Sequence, residues 1–140
     1  MKVPLKKSQK VKVAASHEVY KIMQDILLRE NKLRRKQEYF WTIGLSTANR
    51  IEYIELVALG KINTVSVRPV ELFSFAVQKR CDKLIMVHNH PSGQLTVSES
   101  DKDLTERIKK AGDIMEIAII DHLIITETDY YSFMDNKLLK

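Results

Sequence analysis

The 140-residue sequence has few of the residues that crosslink a chain or break its backbone: one cysteine, four glycines and three prolines. A single thiol, Cys81, excludes a disulfide framework and a cysteine-based structural zinc site, because each needs several thiols. The apolar runs are only a few residues long, against the roughly 20 that span a bilayer, and the N-terminus lacks the apolar stretch of a signal peptide. These absences predict a cytoplasmic protein with no membrane partner.

The composition is that of a globular protein. Hydrophobic residues make up 44% of the chain and charged residues 29%, which excludes a disordered or fibrous class. A chain of this size buries roughly 70% of its unfolded surface on folding. We therefore expect one domain that is stable without crosslinks.

The positive charge is concentrated at one end. Residues 1–36 carry 11 Lys and Arg against 3 Asp and Glu, a net charge of +8, whereas residues 37–140 carry 12 against 15, a net charge of −3. The basic side chains are Lys2, Lys6, Lys7, Lys10, Lys12, Arg29, Lys32, Arg34, Arg35 and Lys36. Residues 1–15 are predicted to form a basic N-terminal arm. The positive charge belongs either to a solvated tail and a helix C-terminus, where it suits the helix dipole, or to a contact site for nucleic-acid phosphates.

Hydrophobic periodicity divides residues 16–140 into alternating helices and strands. Helices are predicted at 17–31, with Ser16 as N-cap, at 69–79, and at 98–111, where Gly112 would end the helix in a left-handed cap. Strands are predicted at 39–45, 51–59, 63–67, 84–87, 114–120 and 123–126, the last two interrupted by Asp121 and His122. This order indicates an α/β fold, with a mixed β-sheet sandwiched between helices.

Two histidines and an aspartate have the spacing of metal ligands. His88 and His90 end a predicted strand, where the two-residue repeat directs both imidazoles to the same side. Asp101 follows in the first turn of a predicted helix, from which its carboxylate can reach the same ion. Three such ligands leave the fourth tetrahedral position of zinc for water, whose pKa zinc lowers towards 7.

Each of these residues also has a simpler explanation. Ser98 and Asp101 have the spacing of a capping box, which would account for both. Asp121 and His122 are either a pair that supports the metal ligands or, as we favour from the sequence, a structural feature at a strand end. His17, at a helix start, is expected on the surface.

The combined spacing His88-x-His90-x7-Ser98-x2-Asp101 resembles the signature of the JAB/MPN (JAMM) zinc metallopeptidases. The run HNHPSG followed by S-x-x-D is typical of the RadC family among them. The resemblance covers about residues 16–133 and also includes Glu38-Tyr39-Phe40 and the segments 63–71 and 121–124. It implies that residues 16–140 form a RadC-like JAB/MPN domain, with the three-layer architecture shared with cytidine deaminases.

The resemblance also assigns roles. It implies Zn²⁺ as the cofactor, His88, His90 and Asp101 as its ligands, Glu38 as the general base, and Ser98 as a hydroxyl that helps to hold the oxyanion. The leading function is then hydrolysis of a peptide or isopeptide bond in a protein or peptide substrate. The alternatives are a DNA-associated repair or recombination accessory protein, which contacts DNA through its basic arm, and a non-catalytic scaffold of the same fold.

Overall fold

A computed structural model describes residues 1–6 and 11–139. Within these residues the helices are α1 (Ser16–Leu28), α2 (Pro69–Lys79) and α3 (Glu99–Met115), with a 3-10 turn at Arg34–Lys36. The strands are β1 (Glu38–Leu45), β2 (Ile51–Gly60), β3 (Lys83–Asn89), β4 (Ala118–Ile125) and β5 (Tyr130–Ser132). No helix in this described part of the chain is long and apolar enough to cross a membrane.

The strands form one mixed sheet in the order β2-β1-β3-β4-β5. Only the β3–β4 pair is parallel among them, and α3 is the crossover between these two strands. Alternate strand residues face opposite sides, so the sheet has two apolar faces: α1 packs on one, and α2 and α3 pack on the other. The predicted α/β class, with a mixed sheet between helices, is confirmed.

Helix α1 differs from the prediction at both ends. Ala15 is the N-cap, and the carboxylate of Glu18 accepts hydrogen bonds from the backbone N–H groups of Ala14 and Ala15 at 2.8 and 3.0 Å. Ser16, predicted as the N-cap, is the first helical residue instead. The helix ends at Leu28, three residues before the predicted end, where the N–H groups of Arg29 and Glu30 donate to the carbonyls of Ile26 and Leu27, three residues back instead of four.

The predicted strand at 63–67 is wrong. The side-chain oxygen of Asn63 accepts the N–H groups of Val65 and Ser66, both at 2.9 Å, and the hydroxyl of Ser66 accepts the N–H of Asn63 at 2.8 Å. These local bonds satisfy the backbone groups that a sheet would otherwise pair. The segment is therefore a turn, even though its valines have high strand propensity.

Two predictions around α3 and β4 are also wrong. Gly112 is inside α3, where a Cβ would lie 2.5 Å from the carbonyl oxygen of Ile117. The left-handed cap is Glu116, with φ of 59°. The late strand is continuous through Asp121 and His122, with a register shift beside them rather than an interruption. Close backbone packing, not helix termination, thus explains the glycine.

The basic N-terminal arm lies along the outer edge of β2. The N–H of Val3 donates to the carbonyl of Ile54 at 2.8 Å, and further along the edge the N–H of Ile51 donates to the carbonyl of Val11 at 3.0 Å. Two of its basic residues, Lys7 and Lys10, lie outside the described residues. The arm thereby pairs part of a sheet edge that would otherwise be open.

Candidate metal centre

The carboxyl end of β3 and the first turn of α3 bring the predicted metal ligands together. His88 is in β3, and the N–H of His90, just after the strand, donates to the carbonyl of Ile125 at 2.9 Å. Asp101 is in the first turn of α3, which covers this face of the sheet. His88 and Asp101 are 1% and 8% exposed, so two of the three residues are buried.

The three side chains converge on one point. The Nε2 atoms of His88 and His90 are 3.1 Å apart, and the Asp101 oxygens lie 3.2 Å from His88 Nε2 and 3.3 Å from His90 Nε2. Tetrahedral zinc with ligands at about 2.0–2.1 Å places any two ligand atoms about 3.3 Å apart. Two imidazole nitrogens and a carboxylate could therefore hold a metal ion, and their chemistry and spacing fit zinc.

Hydrogen bonds hold the far side of each imidazole. His90 Nδ1 donates to the carbonyl of Gln94 at 2.9 Å, which leaves its Nε2 directed at the other two ligands. His88 Nδ1 lies 2.8 Å from Nε2 of His122. Metal-binding histidines commonly have such partners, which orient the ring.

The environment favours an ionised Asp101. Burial raises the pKa of this carboxyl group, but the close imidazoles of His88 and His90 and the N–H of Ser98 outweigh burial and hold the pKa well below its ordinary value. For His90, burial lowers the pKa, whereas the hydrogen bonds to Asp101 and to the Gln94 carbonyl raise it above its usual range. The site thus has an anionic oxygen between two imidazoles, the electrostatic arrangement that attracts a cation.

Asp121 and His122 have separate roles. Asp121 accepts hydrogen bonds from the Ser132 hydroxyl at 2.6 Å and from the N–H of Met134 at 3.0 Å, so it ties β4 to the segment around β5. His122 is fully buried against His88, and burial lowers its pKa well below the ordinary value. The structural interpretation holds for Asp121, whereas the His122 ring contacts His88. His17 is exposed, as predicted.

The sequence analysis did not single out Thr105, whose hydroxyl donates to the Asp101 carbonyl at 2.8 Å and lies 2.5 Å from His122 Nδ1. The available signal was its helical spacing, since residues four apart share a helix face. That spacing placed Thr105 directly over Asp101.

Glu38 is the first residue of β1. In the antiparallel β1–β3 pair, Phe40 is opposite His88, so Glu38 and His90 lie at the same end of the two strands. The charge of Glu38 is among the groups that raise the pKa of His90 against the effect of burial. The Glu38 Oε2 accepts the N–H of Ile62 at 2.6 Å, so the backbone just after β2 holds one carboxylate oxygen.

Ser98 is the N-cap of α3. Its hydroxyl accepts the N–H of Asp101 at 3.0 Å, and the Asp101 carboxylate accepts the N–H of Ser98 at 3.0 Å. The capping box expected from the sequence is therefore present. It also fixes the carboxylate that faces the two histidines, so capping and ligand orientation share the same hydrogen bonds.

The RadC-like JAB domain matches residues 13–138 of the chain. The UPF0758 protein of Chlorobium chlorochromatii is 35% identical over 133 residues, which cover 95% of this chain and 58% of that protein. The UPF0758 protein of Desulforudis audaxviator is 43% identical over 96 residues, which cover 69% of this chain and 42% of that protein. The chain spans about half the length of these curated relatives. By this match, which includes the three converging side chains, the chain belongs to the RadC-like JAB domain family.

Proposed function

We propose that the chain is a zinc-dependent hydrolase of a peptide or isopeptide bond. The observation that carries this proposal is the convergence of His88, His90 and Asp101, whose ligand atoms are 3.1–3.3 Å apart. A carboxylate, Glu38, lies at the same end of the β1–β3 pair, outside this group of three, and its charge is felt at His90. Three ligands, an open position and a separate proton carrier are the requirements of a catalytic zinc site.

The side chains divide the chemistry between them. His88, His90 and Asp101 would hold zinc, which would supply a Lewis acid that polarises the substrate carbonyl and lowers the pKa of a water molecule. Glu38 takes the proton of the attacking water and passes it to the leaving amine. The Ile62 N–H, bound to Oε2, holds this carboxylate in place. Ser98 donates its hydroxyl hydrogen to the oxyanion of the tetrahedral intermediate while its oxygen caps α3.

The direct test uses the chain with and without metal. Zinc-loaded and chelator-treated protein are incubated with two synthetic probes, a linear peptide and a peptide joined through a lysine Nζ amide, and products are followed by mass spectrometry. Cleavage of either probe by the zinc-loaded protein alone supports the proposal. Stoichiometric zinc with neither probe cleaved, at any concentration of protein, favours the non-catalytic scaffold instead.

The Ser98→Asp substitution separates capping from catalysis. Aspartate caps helices about as well as serine, so the melting temperature is expected to stay near that of the wild type. An ionised aspartate has no hydrogen to donate and adds negative charge beside the oxyanion, so hydrolysis is expected to fall. Ser100→Asp is the matched control, because it adds the same charge two residues after the N-cap, within the first turn of α3. Retained activity in Ser98→Asp would leave Ser98 as a helix cap only.

A second candidate function, DNA contact through the basic arm, is favoured by one observation. The Arg29 side chain donates to the carbonyl of Pro4 at 2.7 Å, so the arm lies against the end of α1. The two basic stretches of the sequence therefore adjoin each other. Such a surface binds the phosphate backbone of DNA without regard to base sequence.

Salt dependence tests this candidate. We expect weak binding of arbitrary duplex DNA at low salt, with the logarithm of the affinity falling by about 0.9 per phosphate contact for each tenfold rise in salt. Replacing Lys2, Lys7, Lys10 and Lys12 with glutamine is expected to abolish the binding. Replacing Lys79, Lys102, Lys109 and Lys110 with glutamine removes the same charge from α2 and α3 and is the control. Equal losses in the two variants would indicate a net-charge effect and count against the arm.

A further inference from the structure

We propose that His122 and Thr105 are positioning residues of the metal site. They form a hydrogen-bond chain from the backbone carbonyl of Asp101 to His88, which keeps the His88 proton on Nδ1 and presents the Nε2 lone pair to the metal. This inference rests on the metal site of the proposed function, and it adds two residues outside the ligand set.

The direction of the chain follows from its first link. The Thr105 hydroxyl lies 2.8 Å from the Asp101 carbonyl, and a carbonyl oxygen can only accept, so Thr105 donates there. The same hydroxyl lies 2.5 Å from His122 Nδ1 and has no second hydrogen. His122 Nδ1 must therefore carry the proton and donate it to the threonine oxygen.

The second link fixes His88. A neutral imidazole with its proton on Nδ1 has an acceptor at Nε2. His88 Nδ1 lies 2.8 Å from this acceptor, so His88 donates. Its other nitrogen, Nε2, is then the atom that faces His90 and Asp101 at 3.1 and 3.2 Å. In this tautomer the metal receives a lone pair without first displacing a proton from a neutral ring.

Packing holds the His122 ring in the orientation that this chain needs. The ring stacks on Phe133 with centroids 4.6 Å apart and meets Phe40 edge to face at 6.0 Å. Phe40 in turn stacks on His88 at 6.1 Å. Both imidazoles are thus confined between aromatic rings. This chain of hydrogen bonds also connects β3, β4 and α3, so it couples the position of His88 to that of Asp101.

The test measures the tautomer directly in protein with ¹⁵N-labelled histidine. At neutral pH, in metal-free and zinc-loaded protein, we expect a one-bond N–H coupling at His88 Nδ1, which shows that this nitrogen carries the proton, and a scalar coupling from it to His122 Nε2 across an N–H···N hydrogen bond. Thr105→Val removes the acceptor for His122 Nδ1–H, so the coupling is expected to be lost and the zinc affinity to fall about 10- to 100-fold. Thr105→Ser retains the hydroxyl and is expected to retain both.

Two further variants keep the result interpretable. Thr42→Val removes a buried hydroxyl from β1 that takes no part in the hydrogen-bond chain of Thr105, His122 and His88. This variant is expected to leave the zinc affinity unchanged. His122→Phe removes the acceptor of His88 and should weaken zinc binding as Thr105→Val does. Absence of the coupling in the wild type, or wild-type zinc affinity in both Thr105→Val and His122→Phe, would overturn the proposal. Neither the NMR coupling nor the zinc affinity is measured with a substrate. A protein that binds zinc but hydrolyses no probe would therefore contradict only the proposed hydrolase function.

Discussion

Purified wild-type protein is expected to contain one zinc ion per chain, and the His88→Ala, His90→Ala double variant to contain none. The reason is that these residues supply two of the three converging ligand atoms, and a single aspartate does not hold zinc against water. Hydrolysis of any substrate that the wild type cleaves is expected to disappear with the metal. Elemental analysis of protein freed from loosely bound metal gives the zinc content. Stoichiometric zinc in the double variant would show that the metal is held elsewhere.

His88 is 1% exposed, so its loss also leaves a cavity, and a single conservative variant is needed beside the double one. Asp101→Asn keeps the size of the side chain and removes the charge that faces the two imidazoles. It is expected to lose most of its zinc while still folding. Asp103→Asn makes the same change at an exposed position of α3 and should keep zinc at the wild-type level.

The sequence was most informative where residues are buried on one face of a regular element. The hairpin of β1 and β2, the helix α2 and the strand β3 were predicted within a few residues, because apolar periodicity reports burial directly. The predicted strand at 63–67 failed for a different reason. Its backbone is paired by the side chains of Asn63 and Ser66, and such local hydrogen bonds leave no trace in hydrophobic periodicity.

The candidate site also contains residues that the sequence patterns could identify and one that they could not. The three metal-ligand candidates could be grouped from sequence because a strand repeat orients His88 and His90 together, and a helix start brings Asp101 back. His122 comes from β4, and its contact with His88 exists only because β3 and β4 pair in parallel with Met86 opposite His122. That register depends on the whole sheet. No spacing within the sequence indicates this register, so the sequence alone favours a structural role for His122.

Glu38→Gln is expected to lower hydrolysis roughly 10²-fold or more while leaving one zinc per chain. Glutamine preserves the side-chain shape, and its amide oxygen can still accept the Ile62 N–H that Glu38 accepts at 2.6 Å. What it loses is the ability to take a proton. Glu52→Gln makes the same change at an exposed position of β2 and should leave hydrolysis unchanged.

The comparison of zinc content and rate determines what Glu38 does. A proton carrier outside the ligand set predicts a large loss of hydrolysis at constant metal, because nothing in the triangle of His88, His90 and Asp101 changes. A metal ligand predicts that zinc and hydrolysis fall together. Loss of zinc in Glu38→Gln would therefore place the carboxylate in the coordination sphere, and full activity with zinc retained would require another group to move the proton from water to the leaving amine.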